Sequence, residues 1–223
     1  MASSGTTSFN ITIDEVIEEA YERCGVRTNS GHDIKSARRS LNLLFSEWGN
    51  RGINLWKVKS KTETLVNGQV TYDTPSDCND VLEAVVTVSG GTQQTLTKVS
   101  RSEYIAIPNK TSTGTPSQYY VDRQLTPTIS LYLAPDTSAV TNIFYYYLAR
   151  IEDVGAYTNT ADMPFRFFPC MVSGLAFYLS QKIAPDRVQA LKLLYEDELK
   201  RALDEDGQRT SVYITPNVYY PQS

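Results

Sequence analysis

Apolar residues recur at helical spacing near both ends of the chain and alternate with polar residues between the two ends. The first apolar stripe spans residues 16–24, and Thr12 and Glu15 before it form the capping-box pattern of a helix start. A second stripe spans residues 34–48, and Gly49, Asn50 and Gly52 after it predict the end of that helix. The N-terminal part of the chain is therefore expected to form two amphipathic helices.

The C-terminal part of the chain has the same pattern. A third stripe covers residues 168–183 and a fourth covers residues 188–202, with a proline-containing break between them. A short break between two amphipathic helices predicts an antiparallel hairpin. Because neither pair of helices can bury its stripe alone, we expect both pairs to pack into one antiparallel bundle. This discontinuous helical domain comprises residues 9–52 plus 162–206 and follows a flexible leader, residues 1–8.

The middle of the chain, residues 53–161, carries the two-residue alternation of β-strands. Asn67-Gly68 lies between two such runs and predicts a tight hairpin, because both residues tolerate positive φ. Prolines separate the later runs, and strands exclude proline from their interiors. These later runs are residues 81–88, 119–121, 128–133 and 143–148. The pattern predicts an antiparallel β-sandwich or barrel inserted into the helical domain, so the expected fold class is α+β.

The last segment, residues 207–223, follows neither pattern, and Pro216 and Pro221 disfavour a helix there. It contains six side chains that are too apolar for a solvated chain end: Val212, Tyr213, Ile214, Val218, Tyr219 and Tyr220. Their burial would gain roughly 9–18 kcal/mol. Ordering the last fourteen residues would cost about 14–28 kcal/mol of backbone entropy. We therefore expect an extended docking tail that also needs backbone hydrogen bonds to a partner, as in strand addition.

Composition and charge exclude several classes of protein. A net charge of −4 and a pI of about 5.1 argue against general affinity for the phosphate backbone. Residues 1–8 lack the basic and apolar parts of a signal peptide, and no apolar run approaches the roughly 20 residues of a membrane span. Cys24, Cys78 and Cys170 are odd in number and far apart, which predicts reduced thiols.

No motif in the sequence predicts catalysis, a bound cofactor or a metal site. His32, the only histidine, lies in a helix-start loop and is expected to be a surface residue. Asp77, Asp80 and Glu83 lie near a strand start, where carboxylates commonly cap turns. We expect no enzyme, with a cell-wall hydrolase that uses a carboxylate pair as the less favoured alternative.

Tyrosine is unusually common in the strand-rich region. In the run Tyr145-Tyr146-Tyr147, alternation predicts that one ring faces the core while its neighbour faces outward. Aromatic rings also bind sugars and are enriched where proteins meet. A carbohydrate- or receptor-binding tail module that uses these tyrosines, or Tyr119 and Tyr120, is therefore an alternative function.

Taken together, several stretches of the chain resemble the head-to-tail adaptor proteins of short-tailed bacteriophages, a family that includes the tail accessory factors and tubular tail proteins. The stretches are the N-terminal helical pair ending in residues 41–52, LVNGQVTYDTPSDCNDVLEAVV, ISLYLAPDTSAVTNIFYYYL, and ADMPFRFFPCMVSGLAFYLSQKIA with the acidic helix after it. The resemblance implies a structural virion protein at the capsid vertex that acts without catalysis or cofactor.

The resemblance further implies a dodecameric ring beneath the portal, which extends the DNA channel and supports the tail or nozzle. The implied partners are the portal protein, neighbouring adaptor subunits, and nozzle or fibre proteins. The tail is expected to dock on the portal or on an adjacent adaptor. DNA would pass without specific binding, because acidic helix faces repel phosphate. The candidate channel-lining residues are Glu18, Glu19, Glu22, Asp204, Glu205 and Asp206.

Overall fold

The computed structural model describes residues 5, 9–27, 30–52, 55–156 and 158–206, which form a mixed α+β protein. The described helices are α1 (Ile13–Arg23), α2 (Gly31–Arg51), α3 (Arg101–Ala106), α4 (Phe168–Ile183) and α5 (Val188–Asp206). The described strands are β1 (Val58–Thr64), β2 (Thr71–Asp73), β3 (Cys78–Val88), β4 (Gln93–Thr95), β5 (Thr97–Lys98), β6 (Thr113–Gly114), β7 (Gln118–Asp122), β8 (Thr128–Tyr132), β9 (Ala134–Pro135) and β10 (Val140–Ala149). The predicted α+β content is confirmed, and the short helix α3 adds an element that the strand pattern did not predict.

Helix α2 is longer at both ends than its apolar stripe predicted. Ser30 accepts a hydrogen bond from the Asp33 amide, and the Asp33 carboxylate accepts one from the Ser30 amide, so the helix begins at this capping pair. Of the three predicted stop residues, Gly49 and Asn50 lie inside the helix, because a single glycine inside a helix costs only about 1 kcal/mol. The helix ends instead before Gly52, whose φ of +75° is the left-handed conformation that glycine adopts readily.

The four long helices, two from each end of the chain, share one hydrophobic cluster. Helix α4 lies at the centre of this cluster and contacts α1, α2 and α5. It is buried along most of its length, in keeping with a sequence that holds no charged residue before Lys182. Trp48, Phe167 and Tyr195 are among the largest fully buried side chains of the cluster.

The strand-rich middle of the chain forms two four-stranded sheets, with strand orders β1-β10-β3-β4 and β2-β8-β7-β5. Side chains from both sheets meet in a second hydrophobic cluster, which includes Val81 and Tyr145 from one sheet and Tyr119 and Ile129 from the other. Most strand pairs are antiparallel, as predicted; the pairs β5–β7 and β6–β9 are parallel. Among the described strands no sheet closes on itself, so the barrel alternative is wrong.

The predicted hairpin at Asn67-Gly68 is also wrong. The turn itself forms, with Gly68 at a φ of +74°. However, β1 pairs with β10 and β2 pairs with β8, so the turn carries the chain from one sheet to the other. Leu65 before the turn and Tyr72 after it are both buried in the cluster between the sheets. The chain therefore crosses between the sheets in a way that buries both side chains. The local turn signal alone does not predict this crossing.

The connection from β10 back to α4 packs against the helical cluster. Val154 is buried there, and its amide donates a hydrogen bond to Oδ1 of Asn42 at 2.9 Å. Arg38 donates to the carbonyl oxygen of Gly155, in the same connection. These contacts attach the connection to α2.

Candidate functional site

The predicted docking tail lies outside the described residues, so the roles of Val212, Tyr213, Ile214, Val218, Tyr219 and Tyr220 stay predictions. The point from which the tail leaves the protein is described. Helix α5 ends at Asp206, whose side chain is 5% exposed and forms an ion pair with Arg166. Arg166 belongs to the short 3-10 turn before α4. The end of α5 is therefore attached to the start of α4.

The six predicted channel-lining acids occupy different environments. Glu18, Glu22, Asp204 and Glu205 are exposed on α1 and α5, and Glu19 is exposed but forms an ion pair with Arg23 at 3.0 Å. Asp206 is buried against Arg166 and does not offer its charge to solvent. The structure places these residues on two helices that both pack on α4.

Arg23 joins α1 to both C-terminal helices. Its Nη1 donates a hydrogen bond of 2.6 Å to the Ser173 hydroxyl of α4 and lies 3.9 Å from the Glu198 carboxylate of α5. Ser173 in turn donates to Glu198. This network links α1, α4 and α5 next to the exposed acids of α1 and α5.

A groove lies between the N-terminal segment, α1 and the start of α4; we call it the α1–α4 groove. Its volume is about 640 Å³, and its mouth is open. Its lining residues are Phe9, Asn10, Ile11, Glu15, Glu19, Arg23, Phe168, Pro169 and Val172. Phe9 is 67% exposed, whereas Val172 forms a buried floor. The groove therefore has an apolar interior and a charged rim.

A smaller groove of about 220 Å³ lies between the start of α4 and the end of α5; we call it the α4–α5 groove. Its lining residues are Arg166, Pro169, Glu198, Arg201, Ala202 and Glu205. Pro169 lines both grooves, so the two are adjacent. The tail leaves α5 beside the smaller one.

Sequence reasoning did not predict the α1–α4 groove. Phe9 lines the groove and packs against Phe165 beside it, with ring centroids 5.4 Å apart, and Phe165 is 57% exposed. The signal in the sequence was an aromatic residue next to a polar leader, together with the Phe-rich run before α4. Their proximity depends on tertiary packing and has no local pattern.

Three of the five tyrosines considered for sugar binding, Tyr119, Tyr145 and Tyr147, are buried between the sheets. Tyr145 and Tyr147 are buried while Tyr146 is 45% exposed, which confirms the predicted alternation. Tyr119 is buried, its hydroxyl donates to the Leu82 carbonyl at 2.9 Å, and burial raises its pKa to about 12. Tyr120 stacks on Tyr104, with ring centroids 5.2 Å apart.

Two of the three candidate carboxylates, Asp77 and Asp80, form ion pairs. Asp77 accepts a hydrogen bond of 2.9 Å from Lys59, and this bond lowers the pKa of its carboxyl group. Asp80 accepts a hydrogen bond of the same length from Lys98. The His32 side chain is 88% exposed, as predicted for a surface residue. Within the described residues no group of three or more His, Cys, Asp and Glu side chains could hold a metal ion.

The three cysteines are free and buried, in agreement with the prediction of reduced thiols. Burial raises the pKa of Cys170 to about 12, and it also raises the pKa values of Cys24 and Cys78. Thiols in this environment react slowly. In the part of the chain that the structure describes, no helix is long and apolar enough to cross a membrane.

A family model described as SU10 adaptor protein matches residues 12–219, which is nearly the whole chain. The chain belongs to the SU10 adaptor protein family. The resemblance to phage head-to-tail adaptors is thereby confirmed at the level of the family. No curated protein matches the chain. The SU10 adaptor family is a family of bacteriophage structural proteins, so the chain is a virion component that contacts other head and tail proteins.

Family membership makes docking surfaces the relevant sites. The match to the SU10 adaptor family extends to residue 219 and therefore includes most of the tail. The two grooves and the exposed acids of α1 and α5 lie on the helical part of this adaptor. Two large apolar side chains on its strand-rich part are exposed, Ile105 at 63% and Leu125 at 88%.

Proposed function

We propose that this SU10 adaptor forms a dodecameric ring beneath the portal, extends the DNA channel, and supports the tail or nozzle. The observation that carries the proposal is the family match across residues 12–219. A ring with one kind of subunit needs two different surfaces that meet head to tail. The grooves of the helical part and the apolar tail are two such surfaces.

We further propose a two-domain subunit: an antiparallel helical bundle from both chain ends, and an inserted β-sandwich. Two separate hydrophobic clusters, one formed mainly by the helices and one by the sheets, support this division. In this arrangement the portal and neighbouring adaptors, as well as nozzle or fibre proteins, are the partners.

The acidic surface fits a channel that DNA slides past. The net charge is −4, and Glu18 and Glu22 are exposed and form no ion pair with other described residues. Negative charge near DNA phosphates disfavours contact and is screened over about 10 Å at 0.1 M salt. These carboxylates would repel the DNA backbone without holding it in register.

The oligomeric state tests the proposed function. We expect the purified chain to be mostly monomeric, because its leader is polar and its surface carries a balance of both charges. Purified portal rings should template its assembly by presenting repeated sites close together. Light scattering coupled to gel filtration would measure the mass of the adaptor alone, of the portal alone and of their mixture.

The mixture should elute as one complex whose added mass is a fixed whole number of adaptor chains. A stable high-order ring without portal would contradict templated assembly, and the absence of any portal complex would contradict the proposed function. A glycan array run on the monomer serves as the control for the sugar-binding alternative, with no binding expected.

A further inference from the structure

The α1–α4 groove is an apolar surface without an occupant among the described residues. Its interior is formed by Ile11, Phe168 and Val172, and Phe9 and Phe165 extend the apolar surface at its edge. Phe9 has a φ of +45°, in the left-handed region that residues other than glycine seldom adopt. An exposed aromatic edge on a strained segment is typical of a binding surface rather than of a solvated chain end.

The chain itself contains a segment whose chemistry matches this groove. The tail comprises residues 207–223, and its only charged side chain is Arg209. The groove rim also carries charges, but Glu15 caps α1 and Glu19 pairs with Arg23, so the match between tail and groove is mainly apolar. In an extended conformation Val212 and Ile214 lie on the same face, so both would enter an apolar groove together.

The length of the tail and its starting point limit where it reaches. Seventeen residues span at most about 60 Å when fully extended, roughly twice the ~28 Å length of the 19-residue helix α5. The tail starts at the α4–α5 groove, which shares Pro169 with the α1–α4 groove. It therefore reaches its own groove or that of an adjacent subunit.

The direction in which α5 ends bears on which groove the tail enters. The ion pair between Asp206 and Arg166 places the end of α5 at the start of α4, so α5 runs antiparallel to α4. The α1–α4 groove runs from Phe168 toward Val172 and Arg23, back along α4. To enter its own groove the tail would have to turn back along α4 directly after α5, whereas a closed ring requires a contact that each subunit makes to its neighbour.

We propose that the α1–α4 groove of one adaptor subunit receives the C-terminal tail, residues 207–223, of the neighbouring copy in the ring. Each subunit then gives one tail and receives one, which is the head-to-tail contact that a closed ring requires. This inference rests on the proposed ring and names the surface that its tail binds.

Disulfide trapping with two separate variants tests the exchange. Phe9→Cys places a thiol at the exposed groove edge, and Ile214→Cys places one in the tail. The two variants are mixed in equal amounts, assembled on portal rings and oxidised mildly. Because the native thiols are buried, they should not compete. We expect a disulfide-linked pair on a non-reducing gel, and linked ladders from a chain that carries both substitutions.

The matched control pairs Ile214→Cys with Leu125→Cys, an 88% exposed site on the strand-rich part. The groove pair should link at least about tenfold more than this control, because docking raises the local thiol concentration. Rings without linked pairs would overturn the inference and leave the proposed function intact. Linkage only within single chains of the double variant would overturn it in favour of self-docking. If no rings form on the portal, both the proposed function and this inference are contradicted.

Discussion

A buried chain of hydrogen bonds joins α2 to α5 through Tyr195. Trp48 Nε1 donates to the Tyr195 hydroxyl at 2.8 Å, and that hydroxyl donates to the Glu47 carboxylate at 3.0 Å. Both aromatic side chains are almost fully buried. The Tyr195 hydroxyl is therefore the acceptor for an indole N–H that water cannot reach. Without this hydroxyl the Trp48 N–H would be buried and unpaired, which destabilises the folded protein.

Tyr195→Phe should lower the free energy of unfolding by about 1–3 kcal/mol, because it leaves the Trp48 N–H without an acceptor. Urea unfolding followed by far-UV circular dichroism would measure the change. Tyr178→Phe is the matched control, since the Tyr178 hydroxyl on α4 forms no hydrogen bond with the described residues, and it should cost little. Equal losses for the two variants would show that the hydroxyl chain contributes nothing specific.

The ion pair between Arg51 and Glu196 makes stability depend on acid pH. Arg51 donates two hydrogen bonds, of 3.0 and 3.1 Å, to Glu196 and thereby lowers the pKa of this carboxyl group below the ordinary value of 4.5. As the pH falls, the Glu196 carboxylate is protonated in the unfolded chain before it is protonated in the folded protein. The contribution of the ion pair to the free energy of unfolding is therefore complete above pH 4.5 and is lost as the pH falls through the lower pKa of the folded protein.

Glu196→Gln should therefore destabilise the protein at pH 7, by no more than about 1 kcal/mol for a partly exposed pair. The difference from the unsubstituted chain should disappear once the pH is below the folded pKa. Urea midpoints measured at pH 7 and at successively lower pH would show this convergence. A difference that stays constant with pH would exclude the ion pair as its cause.

At the scale of the element, α4 approaches its neighbours closely at Gly174. A Cβ added there would lie 2.8 Å from Leu44 Cδ2 and 3.0 Å from Tyr195 Cε2. Because Gly174 lies in the middle of a buried helix, its lower helix propensity is outweighed by the close packing of α2 and α5 that it permits.

Gly174→Ala should destabilise the protein by about 1–3 kcal/mol through overpacking, although alanine is the better helix former. Gly49→Ala is the matched control in α2, since an added Cβ there meets no atom within 4 Å. It should stabilise the protein by up to about 1 kcal/mol. Thermal melts of both variants would give the two opposite signs, and a stabilising Gly174→Ala would refute the close approach.

The elements differ in how far the sequence could predict them. Capping and periodicity fixed the start of α1 at Thr12 and the apolar stripes of all four long helices, because these signals are local. The sheet pairing failed at Asn67-Gly68, because the partner of β1 is β10, far away in sequence. The α1–α4 groove was missed for the same reason, since it joins residues 9–11 to the start of α4.

At the scale of the whole molecule, the proposed insertion can be removed at a defined place. Val58 and Leu148 are register partners in β1 and β10, so the chain enters and leaves the sheets at neighbouring positions. Replacing residues 58–149 with a short glycine-serine linker should leave a soluble helical protein with a cooperative melt. The wider deletion of residues 54–156 removes the buried Val154 and should melt at a lower temperature. An aggregated product without a cooperative transition in both cases would contradict a separable insertion.

The tail carries the prediction that concerns assembly. Truncation after Gln208 should leave the melting temperature of the free chain nearly unchanged, because ordering the tail costs more than its side chains return. The same truncation should abolish or greatly weaken incorporation into portal complexes. The effect should exceed the loss of one contact, since every copy in the ring loses it together.

A matched variant separates the apolar contact from the mere presence of the tail. Replacing Val212, Ile214 and Val218 with serine keeps the length and the prolines of the tail but removes its apolar face. This variant should assemble as poorly as the truncated chain, measured as the adaptor-to-portal ratio after sedimentation. Normal assembly of the truncated chain would show that the tail is not an anchor. Unfolding of the truncated monomer would show instead that the tail packs on its own chain, because only an internal contact contributes to stability without a partner.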